Sequence, residues 1–261
     1  MTGGNITKLQ HISQKGYKVR GQNFRAYERE LPMSNLTERN RIIHALDVED
    51  KDRALQIASA VKDYIDAIKI SYPLALKHGL KVIEEIKEVT DLPILACFKV
   101  ADIPLISSRI MQVTMDAGAN GITVHGIAGS DTVKACVDTA SKRGVDVFVL
   151  TEMSHPGAVE FYQPLGEKIA KMARELGATG IVAPATRPNR VRRYRQIIGK
   201  DMVIISPGIG PQGGQLGDAI KEGANFEVIG RLIYDSQNPA KAAREASQLL
   251  KKRLEKPFAV V

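Results

Sequence analysis

The sequence predicts an α/β fold, a single (β/α)₈ barrel of the TIM type, preceded by an N-terminal extension. The length of 261 residues is close to the roughly 250 that one such barrel needs. From residue 40 onward, short apolar segments of strand length alternate with longer helical segments, which is typical of a parallel sheet. The chain contains neither a dinucleotide-binding glycine motif nor a P-loop motif, which disfavours an open doubly wound sheet.

The periodicity places eight strands with helices between them. The predicted strands are Ile42–Asp47, Ala67–Ser71, Ile94–Lys99, Gly121–His125, Val145–Thr151, Gly180–Pro184, Val203–Pro207 and Phe226–Gly230. The most distinct helical segments are Asp50–Tyr64, Pro73–Val89, Ser107–Ala117 and Pro239–Arg253. Eight strands that alternate with helices close naturally into a barrel.

Residues 1–40 differ from the rest of the chain. They are rich in Gly, Asn, Gln and Ser, and their apolar residues show little periodicity. We therefore predict that this segment is a flexible or loosely docked extension, or an artificial addition, and that residues 41–261 form the barrel domain. Removal of such an extension is expected to leave folding and ligand affinity almost unchanged.

Charge and composition predict a cytoplasmic protein that binds a small molecule. Of the net charge of +8, residues 1–40 contribute half, with seven Lys and Arg residues against three Glu. The other basic residues do not alternate with aromatic residues as they do in a groove that binds nucleic acid, so we expect no nucleic-acid partner. No apolar run is long enough to cross a membrane, and no secretion signal opens the chain. Cys97 and Cys136 fit neither a disulfide framework nor a metal-binding spacing.

Active-site residues of this fold lie at the carboxyl ends of the strands. That rule selects Asp47, Lys69, Cys97, Lys99, His125, residues 151–154, Pro184, residues 208–212, Gly230 and Arg231. Because side chains alternate along a strand, Cys97 and Lys99 are expected to face the barrel mouth together. Two ammonium groups there need nearby anions, which Asp47 and Asp102 can supply. The alternative is that both lysines extend into solvent, but lysines within apolar strands at this rim favour a functional role.

Two glycine-rich segments follow the last two predicted strands. They read I-S-P-G-I-G-P-Q-G-G over Ile205–Gly214 and V-I-G-R over Val228–Arg231. Glycine lets backbone N–H groups approach an anion, and Arg231 offers a guanidinium suited to phosphate. Phosphate sites in this fold often lie after strands seven and eight. Glycines that serve only tight turns are the alternative, but two clusters and an arginine at these strands favour a phosphate site.

Further motifs lie around these sites. They are A-L-D-V (Ala45–Val48), I-K-I-S-Y-P-L (Ile68–Leu74), F-K-V-A-D-I-P (Phe98–Pro104), V-H-G (Val124–Gly126), L-T-E-M-S-H-P-G-A (Leu150–Ala158) and A-T-R-P (Ala185–Pro188). With the two phosphate segments they extend over about four-fifths of the chain. In this order they resemble the archaeal orotidine 5′-monophosphate decarboxylases.

The resemblance implies decarboxylation of orotidine 5′-monophosphate to uridine 5′-monophosphate (UMP) in pyrimidine synthesis, without a metal or an organic cofactor. It implies that Lys99 protonates the C6 carbanion that remains when carbon dioxide leaves. Asp47 and Lys69 would bind the ribose hydroxyls and extend the charged network. Asp102, with Ile103 beside it, would reach the neighbouring subunit's site, so the resemblance also implies a homodimer.

The remaining substrate contacts also follow from the resemblance. Ser154 would contact the pyrimidine and help to close a loop. Gln212, Gly230 and Arg231 would grip the phosphate, whose binding energy is used to stabilise the transition state. Thr123 and Pro184 complete the predicted substrate-binding set.

The main departure from the family is Cys97. The family motif D-x-K-x-x-D places a carboxylate there, against the substrate carboxylate and beside the catalytic lysine. At an effective dielectric near 20, a unit charge pair about 4 Å apart is worth roughly 4 kcal/mol. Loss of that charge is therefore expected to cost about a thousandfold in rate.

Four other positions also differ from the pattern expected of the family or of the strand in which they lie. Ile106 stands where relatives often carry a threonine that reaches the neighbour's ribose, and Thr123 stands where an apolar side chain usually lines the pocket. His44 lies in an otherwise aliphatic strand, where we expect a hydrogen-bonded group that faces a helix. Glu227 interrupts strand eight without an evident reason. Such changes indicate either an engineered variant or a diverged relative.

Two alternatives to an impaired decarboxylase stay open. One is a related sugar-phosphate decarboxylase or aldolase barrel. Those relatives use the first aspartate of the motif for magnesium, so Cys97 disfavours them, and the M-S-H-P-G segment at 153–157 favours the nucleotide enzyme. The other alternative is a protein that binds nucleotide monophosphates with little or no turnover.

Overall fold

The fold is a closed barrel in which eight parallel strands follow one another in chain order, as predicted. The structure is a computed structural model and describes residues 33–255. Its strands are β1 (Ile42–Ala45), β2 (Ala67–Ile70), β3 (Ile94–Val100), β4 (Gly121–His125), β5 (Asp146–Leu150), β6 (Gly180–Val182), β7 (Val203–Pro207) and β8 (Phe226–Ile229). The predicted bounds of β4 and β7 are confirmed, and every other strand begins and ends within two residues of its prediction.

Helices connect the strands on the outside of the barrel. They are α1 (Lys51–Val61), α2 (Tyr72–His78), α3 (Lys81–Val89), α4 (Pro104–Asp116), α5 (Ser130–Ser141), α6 (Ala158–Glu175), α7 (Pro188–Ile198), α8 (Asp218–Lys221), α9 (Arg231–Tyr234) and α10 (Pro239–Glu255). None of the helices within residues 33–255 combines the length and apolar character of a bilayer span.

The predicted helix Pro73–Val89 is wrong as one continuous helix. Gly79 has a φ of +74° and ends α2, and α3 begins two residues later. Because this backbone conformation favours glycine, the presence of glycine at position 79 explains why the helix ends there.

Apolar side chains fill two layers around the barrel wall. Ile43 and Phe148 belong to the layer inside the barrel, whereas Ile42 and Leu46 pack against the outer helices. Strands that are buried on both faces read as continuous apolar runs, as these do. The polar side chains that remain at the strand ends are therefore concentrated at the mouth.

The segment that precedes β1 closes the amino-terminal end of the barrel. The Ser34 hydroxyl and the Asn35 N–H donate to Oδ2 of buried Asp146, at 2.8 and 2.9 Å. Leu36 packs into the layer inside the barrel. The last residues of the predicted extension therefore contact the barrel. Residues 1–32 lie outside the described residues, so the domain boundary at residue 40 stays a prediction.

Candidate active site

A cavity of about 250 Å³ opens at the carboxyl ends of the strands. Its floor is apolar and includes Leu150, Val182 and Ile205. Eight of the predicted site residues line it: Asp47, Lys69, Cys97, Lys99, Ser154, Gln212, Gly230 and Arg231. The cavity thus brings together the lysine-rich and the glycine-rich segments, which are far apart in sequence.

The other four predicted site residues lie outside this cavity. Asp102 and Ile103 are exposed at the start of α4, where the Ile103 N–H donates to Oδ1 of Asp102. Thr123 is buried in β4, behind the lining residues. Pro184 is buried beyond the end of β6, and Pro207 of β7 is the proline that lines the cavity. The substrate roles of these four residues stay predictions.

Lys69 and Asp47 form an ion pair at the mouth. Nζ of Lys69 donates to Oδ1 of Asp47 at 3.1 Å, and the Ser71 hydroxyl donates to the same oxygen at 2.5 Å. Burial opposes ionisation of Asp47, but the charge of Lys69 and the Ser71 hydrogen bond outweigh it and lower the Asp47 pKa. This carboxylate is therefore a fixed negative charge beside Lys69 at the mouth of the cavity.

Lys99 projects from an irregular part of β3. The register of β3 with β4 shifts between Ala96 and Val100, and Lys99 has a φ of +47°. The Thr123 hydroxyl oxygen accepts a hydrogen bond from the Lys99 backbone N–H at 2.8 Å, which holds this strained backbone. Within residues 33–255 the Lys99 ammonium makes no hydrogen bond or ion pair to another side chain, so its donors are available to a ligand.

Cys97 is half-buried in the cavity that Lys69 and Lys99 line. Burial lowers the pKa of Lys69, whereas the charges of Asp47 and of an ionised Cys97 raise it, and the net effect is a raised pKa. Lys69 therefore stays cationic beside the Cys97 side chain.

Backbone turns shape the opposite end of the cavity. Gly208 and Gly210 have φ values of +116° and +79°. An added Cβ at Gly214 would lie 2.6 Å from the Gly208 carbonyl oxygen, so only glycine fits this turn. Arg231 lies beside it, and its guanidinium makes no hydrogen bond or ion pair within the part of the chain that the structure describes. This end is suited to a phosphate, as the glycine pattern predicts.

The glycine turn is joined to the loop after β5. The Ser154 hydroxyl donates to Oε1 of Gln212 at 2.6 Å. Both side chains line the cavity, so this hydrogen bond joins two loops at its rim.

A family model described as "Orotidine 5'-phosphate decarboxylase / HUMPS family" matches residues 40–246. The chain belongs to this family. The orotidine 5′-phosphate decarboxylase of Methanococcoides burtonii is 51% identical over 210 residues, which cover 80% of this chain and 97% of the relative. That of Methanocaldococcus jannaschii is 45% identical over 214 residues, covering 81% and 99%.

A solved structure gives the same result for the fold. The orotidine 5′-monophosphate decarboxylase of Methanocaldococcus jannaschii, complexed with the inhibitor BMP, superposes with a TM-score of 0.77. The two chains share 45% identity, and the match covers 80% of this chain and 98% of the other. The expected family and the expected barrel are both confirmed.

Several lining residues of this family member were missed by sequence reasoning. Pro207 and Tyr234 line the cavity without having been selected, whereas Met153 belongs to the selected residues 151–154. Pro207 shares the inward alternation of Ile205 on β7, and Tyr234 follows Arg231 by three residues on α9. Those spacings were signals that could have identified both residues.

Two of the unusual polar residues lie behind the site. Nδ1 of buried His44 is 2.9 Å from the Ile229 carbonyl oxygen, to which it can donate. The expected hydrogen bond of His44 is thus present at Nδ1, whereas Nε2 has no partner among the described residues. Burial lowers the pKa of His44 to about 4, which keeps the ring neutral at neutral pH.

The structure explains the presence of Glu227 in strand β8. Its buried carboxylate accepts hydrogen bonds from the N–H groups of Gly217 and Ala219, at 2.6 and 3.0 Å, and from Ile220 at 3.4 Å. Burial raises its pKa to about 7 although these hydrogen bonds oppose the shift. Glu227 therefore ties β8 to the start of α8, directly after the glycine turn.

A metal site is a separate question. Among residues 33–255, no group of three or more His, Cys, Asp or Glu side chains lies close enough together to hold a metal ion.

Proposed function

We propose that this protein decarboxylates orotidine 5′-monophosphate to UMP, at a rate that Cys97 limits. One observation carries the proposal: a single cavity holds the Asp47–Lys69 pair and Lys99 at one end, and the glycine turn and Arg231 at the other. This arrangement occurs in a chain that is 51% identical to a decarboxylase of this name.

The phosphate end would provide most of the ligand affinity. The Arg231 guanidinium can form a bidentate hydrogen-bonded pair with the phosphate, and the glycine turn lets backbone N–H groups approach it. Gln212 and Ser154, already hydrogen-bonded to each other, would then cover the nucleotide.

The reacting end would carry out the chemistry. The bond between C6 and the carboxylate breaks, carbon dioxide leaves, and the electron pair of that bond remains on C6. The ammonium of Lys99, which is unpaired within the described residues, then donates a proton to C6 and gives UMP. Lys69, held by Asp47, would bind the ribose and keep positive potential near the developing carbanion.

Cys97 would weaken this reaction without weakening binding. A cysteine in place of the family's aspartate lacks the carboxylate that would repel the substrate carboxylate and hold Lys99. The charge interaction lost, roughly 4 kcal/mol at about 4 Å, corresponds to about a thousandfold in rate. Binding without turnover is therefore the second candidate function.

Two measurements on one sample separate these candidates. We expect UMP to bind, and orotidine 5′-monophosphate to be converted slowly in a reaction that Lys99→Ala abolishes. Binding without any Lys99-dependent turnover would support the second candidate. Absence of UMP binding would contradict both.

We also propose a homodimer in which Asp102 serves the neighbouring site. The Asp102 carboxylate is exposed and does not line the cavity of its own protomer. Exposed apolar side chains surround it at the rims of β3 and β4, namely Ile103, Leu105 and Ile127. A partner that covers this surface would bury them and bring Asp102 near a second cavity.

Mixing two inactive variants tests this arrangement. Lys99→Ala and Asp102→Asn should each be inactive alone, but a mixed dimer contains one site with an intact Lys99 and an intact Asp102. After random subunit exchange, about a quarter of the sites should be active. A mixture that stays inactive although mixed dimers form would contradict the shared site, and a monomer in light scattering would contradict the dimer.

We propose that the reaction needs no metal or organic cofactor and takes place in the cytoplasm. Lys99 can supply the proton itself, and Cys97 and Cys136 are both free thiols, as is usual in a reducing compartment. Dialysis against EDTA should leave the rate unchanged. A loss of rate that Mg²⁺ restores would contradict this part of the proposal.

A further inference from the structure

Glu227 places a buried carboxylate on the outer face of β8, where the barrel wall meets α8. Its neighbours in the strand, Phe226 and Val228, face the inside of the barrel, whereas Glu227 points outward and is 0% exposed. Its oxygens accept hydrogen bonds from the Gly217 N–H at 2.6 Å and from the Ala219 N–H at 3.0 Å. The carboxylate therefore holds the backbone that leads into α8 from behind.

The glycine turn, residues 208–214, is continuous with this backbone. The Gly214 N–H donates to the Gly208 carbonyl oxygen at 2.9 Å, and the Gly210 N–H donates to the Gly214 carbonyl oxygen at 2.8 Å. The turn is thus closed at Gly214, and only two residues separate it from Gly217. A displacement of the backbone at residue 217 is therefore transmitted to the phosphate end of the cavity.

Helix α10 holds the same short segment from the other side. The Arg253 guanidinium donates to the Leu216 carbonyl oxygen and, at 3.3 Å, to Oε1 of Gln215. An added Cβ at Gly217, whose φ is +93°, would lie 3.4 Å from Cδ1 of Leu250. Residues 215–217 are therefore held between β8 and α10, by two charged side chains of opposite sign that contact backbone groups.

The presence of a buried carboxylate here is not explained by stability. Burial raises the pKa of Glu227 from 4.5 to about 7, although the backbone hydrogen bonds lower it. Because the folded protein binds this proton more tightly than the unfolded chain, the contribution of Glu227 to stability is full below about pH 4.5. It is lost as the pH rises through about 7. An apolar side chain would avoid this cost, so the value of the carboxylate lies in the geometry that it gives residues 215–217.

The other charged and titratable groups around Glu227 lie on three elements. Asp218, the first residue of α8, has a charge that raises the pKa of Glu227 further. Arg253 of α10 donates to a carbonyl oxygen of the segment. His44 lies on the same outer face of β1 and has a pKa of about 4, so its ring is neutral at neutral pH. Among these groups, Glu227 is the one that changes its charge near neutral pH.

We propose that Glu227 and Arg253 are positioning residues for the glycine turn, and that ionisation of Glu227 makes phosphate binding depend on pH. The ionised carboxylate accepts both N–H groups and keeps the turn in the conformation that receives a phosphate. Protonation weakens this acceptor, so the affinity for a nucleotide monophosphate falls as the pH is lowered. This inference rests on the proposed function, because it assigns the turn to the same nucleotide site.

Titration of UMP and uridine at about pH 8 and about pH 6 tests the proposal. At about pH 8, Glu227→Gln should reduce the ratio of UMP to uridine affinity about tenfold, because an amide nitrogen cannot accept the hydrogen bond that a carboxylate oxygen accepts. At about pH 6 the Glu227 of the unmodified protein is mostly protonated. The two proteins should then differ by no more than about twofold. The second ionisation of the phosphate, near a pH of about 6, affects both proteins alike and cancels in this comparison.

Two further variants complete the experiment. Arg253→Ala should reduce the same ratio about threefold at both pH values, because it removes the second anchor and an arginine does not titrate in this range. Buried Asp66 provides the matched control, since its carboxylate accepts the N–H groups of Asn40 and Arg41 at 2.9 and 2.6 Å at the opposite end of the barrel. Asp66→Asn should leave the ratio unchanged at both pH values.

Each outcome decides the proposal. An unchanged ratio in Glu227→Gln at about pH 8, an equal loss at both pH values, or the same loss in Asp66→Asn would overturn it. If Glu227→Gln does not fold, Arg253→Ala decides, and an unchanged ratio in that variant overturns the proposal. If the unmodified protein does not prefer UMP to uridine at all, the proposed function fails as well. A strong preference for UMP that both variants retain at about pH 8 removes only this inference.

Discussion

The two ends of the cavity are built from different kinds of group. The phosphate end depends on backbone shape, with glycines at positive φ and one arginine that is unpaired within the described residues. The reacting end depends on side-chain charges arranged next to one another, with Asp47 paired to Lys69, and with Cys97 two residues before Lys99 on β3.

This difference separates binding from turnover. The groups that would recognise the phosphate are all present in the cavity, whereas one position of the charged end carries a thiol. We therefore expect substitutions at the phosphate end to change ligand affinity, and substitutions at the reacting end to change rate.

The largest effect on affinity is expected for Arg231→Ala. Loss of two charge-assisted hydrogen bonds to phosphate should weaken UMP binding by about 3.5 kcal/mol, that is, several hundredfold. Uridine, which presents no phosphate, should bind almost as before. Calorimetric titration of both ligands measures the difference, and equal losses for both would show that Arg231 has another role.

His44 lies behind both ends of the cavity, so a substitution there tests the stability of the fold separately from ligand binding. Its pKa falls from an ordinary 6.5 to about 4 on folding, mainly through burial. Between these pH values the unfolded chain binds a proton that the folded chain does not. The contribution of neutral His44 to the stability of the fold is thus fully present above the pKa of His44 in the unfolded chain. It is lost as the pH falls toward the pKa of His44 in the folded protein, by roughly 3 kcal/mol in total.

His44→Gln isolates this contribution. In the unmodified protein, the free energy of unfolding measured with urea should fall as the pH is lowered from about 7 to about 4. In the variant this fall should be smaller by roughly 3 kcal/mol. UMP affinity at neutral pH should remain close to that of the unmodified protein. The same pH dependence in both proteins would show that His44 does not titrate in this way.

The smallest effect is expected at the amino-terminal end of the barrel. Ser34→Ala removes one hydrogen bond to buried Asp146 and should lower the free energy of unfolding by about 1 kcal/mol. Because this end lies opposite the cavity, UMP affinity should not change. A change in UMP affinity without a loss of stability would mean that the two ends of the barrel are coupled.

The sequence predicted the barrel well because its signals are local. Apolar runs bounded by turn residues locate β4 and β7 correctly, and the strand-end rule brings Asp47, Lys69 and Arg231 into one cavity. The break at Gly79 was missed because the apolar periodicity continues through it.

The remaining errors concern contacts between distant segments. Glu227 looked anomalous in its strand because its partners, the N–H groups at 217–220, become its neighbours only in the folded barrel. The partners of buried Glu152 are invisible in the sequence for the same reason, since its carboxylate accepts hydrogen bonds from distant Arg187 and from Tyr194 of α7. The hydrogen bond from the Lys99 N–H to the Thr123 hydroxyl, where β3 is irregular, is a further contact that the sequence does not show, and the substrate role of Thr123 stays a prediction.

The central claim is that turnover is limited by the missing charge at Cys97. The most direct test is the initial rate with orotidine 5′-monophosphate for the unmodified protein, Cys97→Asp and the uncharged, isosteric control Cys97→Asn. We predict that Cys97→Asp raises kcat by at least about a hundredfold, that Cys97→Asn does not, and that UMP affinity changes little in either. An aspartate variant no faster than the unmodified protein, or an asparagine variant equally fast, would contradict the claim.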